Sequence, residues 1–204
     1  MRLGKLLNYL PFFWLLLALP GFAMLNGYWT GRLDAEAMLH PTGEFSARFM
    51  IIAMMISPMI VLFGPARWLQ WLMKRRRALG VAAFIYALAH AVFYVIDMEL
   101  LSEILKEVTI FSMWTGWLAF VIFTVMAITS NEASVRALKR NWKTIQRFVY
   151  AAAVLTMLHW IYVHGSWKGA VVHFAPLALL ELARIVIILK KRSSNGKLNS
   201  AIEN

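Results

Sequence analysis

The sequence predicts an all-α integral membrane protein, a bundle of six transmembrane helices with both termini in the cytoplasm. Three observations carry this. Of 204 residues, 61% are hydrophobic and 15% charged, with mean hydropathy +0.64, a composition too apolar for a soluble domain. Apolar runs near the length that crosses a ~30 Å hydrocarbon core recur six times. The basic residues punctuate those runs on alternate sides. In a soluble chain the net charge of +11 would suggest nucleic acid; in this pattern it reads as topology.

The runs, in order, are Leu7–Trp29, Phe45–Phe63, Leu79–Ile96, Phe111–Ile128, Phe148–Val163 and Val171–Leu189. The first follows Arg2 and Lys5 and imitates a secretion signal. Further spans follow it without a small-x-small cleavage site, so it is read as a retained helix. Four segments would share one side: the N-terminus, Gly64–Ala78, Thr129–Arg147 and the tail from Lys190. They hold sixteen of the 21 Lys and Arg residues, which places them in the cytoplasm. The opposite connections collect Asp34, Glu36, Glu44, Asp97, Glu99, Glu103 and Glu107. Among these, Leu100–Val108 reads as a short interfacial helix. Most tryptophans fall near the expected interfaces. Residues 1–192 form one membrane domain, and the polar segment 193–204 is expected to be an unstructured cytoplasmic tail.

Several chemistries are excluded. With no cysteine, the chain has no disulfide, thiolate metal site or C-x-x-C-H haem attachment. It also lacks a P-loop, a G-x-G-x-x-G fingerprint and a nucleophile elbow. Nucleotide-derived electrons would have to arrive through another protein or carrier.

What remains is a set of histidines. His90 lies thirteen residues after Arg77 and His159 twelve after Arg147, or ~20 and ~18 Å along a helix. If both arginines mark one membrane surface, both imidazoles sit at nearly one depth. An ionisable side chain there is costly and points to function. Two at one level suit a non-covalent haem with an axial nitrogen on each face. On the same helical faces, Ala83 and Ala87 precede His90 and Ala152 precedes His159, leaving room for a flat macrocycle. The alternative is that each histidine hydrogen-bonds a neighbouring helix, with the small residues serving close packing.

His164 and His173 lie near the outer surface. They are interfacial side chains or, on the sharper reading, auxiliary ligands or contacts for a haem propionate, a quinone or an outer partner. His40, in His40-Pro41-Thr42-Gly43, reads as a loop histidine beside a turn. Arg75, Arg76, Arg77, Lys139, Arg140, Lys143 and Arg147 make a basic inner surface that attracts lipid headgroups. Alternatively, it receives a flavin phosphate or an acidic donor protein. Arg77 and Arg147 would neutralise a phosphate or headgroup there. Glu181 and Arg184 pair on one helix face.

The order of these features resembles the ferric-reductase-like transmembrane family. The matching stretches are His40-Pro41-Thr42-Gly43, Arg76-Arg77-Ala78-Leu79-Gly80, Ala89-His90 and Ile128-Thr129-Ser130-Asn131. Trp142, Arg147-Phe148-Val149-Tyr150 and Leu158-His159-Trp160 complete them. Together they cover about residues 39 to 165. Within the family the likeness is to haem-bearing membrane subunits of periplasmic methionine sulfoxide repair systems. The resemblance implies b-type haem ligated by His90 and His159. It implies electrons from quinol or a cytoplasmic flavin reductase, a periplasmic molybdenum-cofactor subunit as acceptor, and for some members FMN. It places the chain in a bacterial inner membrane, as an electron-transfer subunit rather than a complete enzyme. One position departs from the pattern. Gln146 stands where the family commonly has a histidine, thirteen residues before the span-five ligand, which implies one haem per chain rather than two. Two rival readings are a haem-containing metal or quinone reductase without that partner, and a haem-free assembly or anchoring protein.

Overall fold

The computed structural model describes the backbone of residues 10–202 and the side chains of residues 10–194. Among these, every regular element is a helix. The basic N-terminal flank, with Arg2 and Lys5, lies outside the described residues. The helices are α1 (Leu10–Trp29), α2 (Ala35–Phe63), α3 (Arg67–Met98), α4 (Leu101–Glu107), α5 (Phe111–Ile128), α6 (Glu132–Leu138), α7 (Arg140–Arg147), α8 (Val149–His164) and α9 (Trp167–Ile202). Five of them, α1, α2, α3, α5 and α9, are long and apolar enough to cross a membrane. The remaining apolar run forms α8, whose 16 residues span ~24 Å. It is closed at one end by Gly165 in the left-handed conformation, φ 59°, and continues α7 at the other through Phe148, whose backbone is helical. The short helix expected around residues 100–108 is α4.

Two expectations are corrected. Residues 40–43 are not a loop, because α2 begins ten residues before the apolar run. Asp34 caps it, accepting a hydrogen bond from the Ala37 amide at 2.8 Å, and Glu36 sits favourably in the first positive turn. Pro41 is carried inside the helix. The polar segment expected as an unstructured tail also differs, since α9 continues as helix through Ile202. Residues 203 and 204 lie outside the described residues.

The most extensive helix contact is the α2–α3 pair, followed by α5–α8; α9 covers α2 and α8, and α1 lies on α3 and α2. Small residues explain how closely α2 and α3 approach: Ala47, Ala82 and Ala83 are almost fully buried. The Ser46 hydroxyl donates across the seam to the Ala83 carbonyl at 2.9 Å. Many large apolar side chains instead face outward, among them Leu19, Phe22, Ile85, Val121, Leu179 and Leu182, as a lipid-facing surface requires. Arg77 pairs with Glu132 at 2.5 Å, which brings both internal basic segments to one end of the bundle. Arg75 turns inward, its guanidinium 3.9 Å from the Trp71 ring centroid. Glu181 and Arg184 pair at 3.3 Å.

Pro20 lies inside α1, and α3 supports the helix beside it. A proline strains the helix one turn back and bends it away from ideal bonding. The Tyr86 hydroxyl reaches the turn beside it. It accepts from the Gly21 amide at 2.7 Å and donates to the Leu17 carbonyl at 3.0 Å. In a regular helix those two backbone groups would bond each other.

Candidate functional site

The α2–α3 and α5–α8 pairs meet around two imidazoles. His90 on α3 and His159 on α8 are separated by 69 residues in sequence, yet their ring centroids lie 6.1 Å apart with planes crossed at 85°. Each ring is held at Nδ1 by a backbone carbonyl of the facing helix. His90 bonds Leu39 of α2 at 2.9 Å, and His159 bonds Ser112 of α5 at 2.6 Å. A carbonyl only accepts, so Nδ1 is the protonated nitrogen in both rings. Each Nε2 is left with its lone pair, and among the described residues neither has a hydrogen-bond partner.

The approach of the rings depends on two glycines. A Cβ on Gly43 would stand 3.1 Å from His90 Nδ1, and one on Gly116 only 2.6 Å from His159 Nδ1. Both glycines line a half-open cavity, together with the two histidines, Ala87, Ala91, Ala119, Phe120 and Phe123. The walls are mainly apolar. Polar groups gather where His40, Glu44, Trp160 and His164 reach the same cavity.

The expected site residues are therefore divided. His90, His159, Ala87 and His164 line one cavity, whereas Ala83 and Ala152 do not. Both of the latter are buried in helix seams at 1% and 0% exposure. Each lies two turns from its histidine, ~10 Å along the axis, where the helices have already closed on each other. Arg77 and Arg147 do not line the cavity either; Arg77 faces Glu132 and Arg147 is exposed on α7. His173 stands behind the cavity, its Nε2 3.3 Å from Glu44. Gln146 is also outside it, its amide donating to the Met126 carbonyl and the Thr129 hydroxyl at 3.2 and 3.1 Å. Sequence reasoning did not assign Gly43 or Gly116 to the site: Gly43 reads there only as part of a turn motif, and Gly116 as a small residue within an apolar run. It also missed the joining of His40 to His164 at 3.0 Å.

A helical bundle with apolar outer faces, in which two imidazoles from different helices line one cavity, defines a multi-pass membrane protein. Residues 42–157 match the family described as ferric reductase like transmembrane component, and the chain belongs to that family. It is 32% identical over 196 residues to a protein-methionine-sulfoxide reductase heme-binding subunit MsrQ from Brucella anthropi, covering 90% of this chain and 87% of that one. The subunit of the same name from Brucella melitensis biotype 2 is 34% identical over 163 residues, covering 76% and 72%. No solved structure matches.

Proposed function

We propose that this chain is a haem b-bearing electron-transfer subunit of the bacterial inner membrane. It takes electrons from quinol or a cytoplasmic flavin reductase and serves a periplasmic molybdenum-cofactor methionine sulfoxide reductase. The observation that carries the reading is the crossed His90–His159 pair with both Nδ1 atoms bonded to carbonyls. An imidazole nitrogen lies ~2 Å from a bound transition metal, so two rings sharing one metal have centroids ~6 Å apart. The 6.1 Å separation fits. The carbonyl bonds from Leu39 and Ser112 fix the tautomer and orientation, as outer-shell partners of metal-binding histidines do. Gly43, Gly116, Ala87, Ala91 and Ala119 leave the volume, and Phe120 and Phe123 keep it dry.

Haem held there, with His90 and His159 as the residues that would bind it, would supply reversible one-electron chemistry. The residues of this chain orient the ligands, exclude water and set the depth of the site. With Gln146 committed to the end of α5, one haem per chain is expected. The topology that goes with this reading has six spans, α8 being the short one, and both termini in the cytoplasm. Arg147 then faces anions at the inner surface.

A quantified pyridine haemochrome on the detergent-purified chain tests the proposal. One b-type haem with a low-spin spectrum is expected, lost in His90→Ala and His159→Ala while both variants still insert into the membrane. Normal spectra in both variants would refute it, and so would no haem in protein from haem-replete cells. Gln146→His is expected to gain a second haem; two haems in the unaltered chain would overturn the single-site reading.

A further inference from the structure

The basic end of the bundle carries charge that the His90–His159 pair does not use. α7 runs on into α8 through Phe148, whose backbone is helical, so Lys143, Arg147 and Tyr150, spaced four and then three residues apart, share one face. On α9, Glu181, Arg184 and Lys191, spaced three and then seven residues apart, do the same. The two faces touch at one point. The Tyr150 hydroxyl donates to Glu181 at 3.2 Å, while Arg184 reaches that hydroxyl at 3.4 Å and Glu181 at 3.3 Å. The helices are antiparallel, since Trp160, farther along α8, packs on His173, earlier in α9. Moving from the Tyr150 contact toward the basic end therefore meets Arg147 after ~5 Å and Lys143 after ~10 Å on one side, and Lys191 after ~10 Å on the other. Lys191 has a fixed place there because α9 continues as helix beyond the apolar run. On the opposite side of α7, Trp142 and Gln146 bond the Thr129 and Met126 carbonyls at the end of α5, which turns the basic face outward. Lys143, Arg147 and Lys191 are exposed, and among the described residues no acid pairs with them.

We infer that these two columns bind an anionic phospholipid carrying two phosphates, drawn from the leaflet on the basic side. Four cations face a single carboxylate, and Glu181 is already held by Arg184 and Tyr150, so the space between the columns keeps a positive excess. The cations stand at two levels, each with one from either helix: Arg147 with Arg184 near the contact, and Lys143 with Lys191 farther out. That doubling suits two phosphates, which guanidinium groups receive through paired hydrogen bonds. What favours a lipid over a soluble acidic protein is the neighbourhood. Phe148 and Val154 on one helix, and Leu182, Ile185 and Leu189 on the other, are exposed directly beside the charges. Acyl chains of the same molecule would lie on them, whereas a soluble partner would leave them bare. Basic pockets between spanning helices recruit headgroups of this kind. The site lies outside the haem cavity and does not depend on the haem reading.

The test is native mass spectrometry of the full chain in an uncharged detergent, titrated with cardiolipin or with phosphatidylcholine. The unaltered chain is expected to bind cardiolipin about ten- to a hundredfold more tightly. In the Lys143→Gln, Arg147→Gln, Lys191→Gln triple variant that ratio should fall to about one. The Arg67→Gln, Lys74→Gln, Arg136→Gln triple, which removes the same charge from exposed positions elsewhere at this end, should keep it. Lys191→Glu alone, beyond the packed part of the bundle, should lower the ratio severalfold and serves if the first triple fails to fold. Equal loss in the two triples overturns the inference in favour of diffuse charge. Full preference in the first triple, or none in the unaltered chain, also overturns it and leaves the columns to an acidic protein. Displacement of bound cardiolipin by millimolar pyrophosphate would overturn the lipid as the source of the phosphates.

Discussion

Gly116 and Gly43 are the surfaces on which the two imidazoles lean, and they bear that load unequally. A methyl group at 116 meets backbone-anchored imidazole atoms at 2.6 Å, closer than any ordinary contact, whereas at 43 the nearest approach is 3.1 Å. Overpacking of this kind costs ~1–3 kcal/mol. Gly116→Ala should weaken haem retention by about tenfold and Gly43→Ala by less, read as haem per chain after gel filtration. Equal retention in both variants would mean that the rings can swing away at no cost. The histidines themselves were legible in the sequence, because an imidazole inside an apolar run has no cheap structural explanation and both lie at matched offsets from arginines. The glycines were not, since which ring rests on a glycine is decided by contacts between residues about 43 to 47 positions apart. Ala83 and Ala152 illustrate the opposite failure. They share a helical face with His90 and His159, but where facing helices converge, the same face passes from cavity to seam within two turns.

Among the elements, α1 depends on a side chain from elsewhere. The Tyr86 hydroxyl bridges the Gly21 amide and the Leu17 carbonyl next to Pro20, and its removal takes both bonds away. Tyr86→Phe should destabilise the bundle by ~1–3 kcal/mol, seen as a lower melting temperature in detergent. No change would mean that α1 holds this turn without it. The boundaries of α2 show why the sequence misled at one point. His-Pro-Thr-Gly carries every local sign of a turn, but the Asp34 cap and the α3 seam extend the helix through it, with Pro41 tolerated where neighbouring helices cover the backbone. The ladder of His40, Glu44 and Arg48 exists only because that stretch is helical.

At the scale of the whole molecule, the order of apolar runs and the basic loops made the bundle legible. The short reach of α8 was less so, because composition does not reveal where a left-handed glycine will stop a helix. The cysteine-free chain permits a direct check of topology. Single cysteines introduced as Ser102→Cys and Ser166→Cys should react with an impermeant maleimide from the periplasmic side. Ala133→Cys should react only after permeabilisation. Protection of position 166 would show that α8 does not cross. The crossing of the two imidazole planes has a magnetic consequence. Were haem held by His90 and His159 as proposed, rings at 85° would donate π density into different iron d orbitals and leave that pair nearly degenerate, whereas parallel rings would split it. The oxidised low-spin centre should therefore give one strongly displaced paramagnetic resonance line with large anisotropy in place of a three-line rhombic spectrum, a signature imposed by two carbonyls on separate helices.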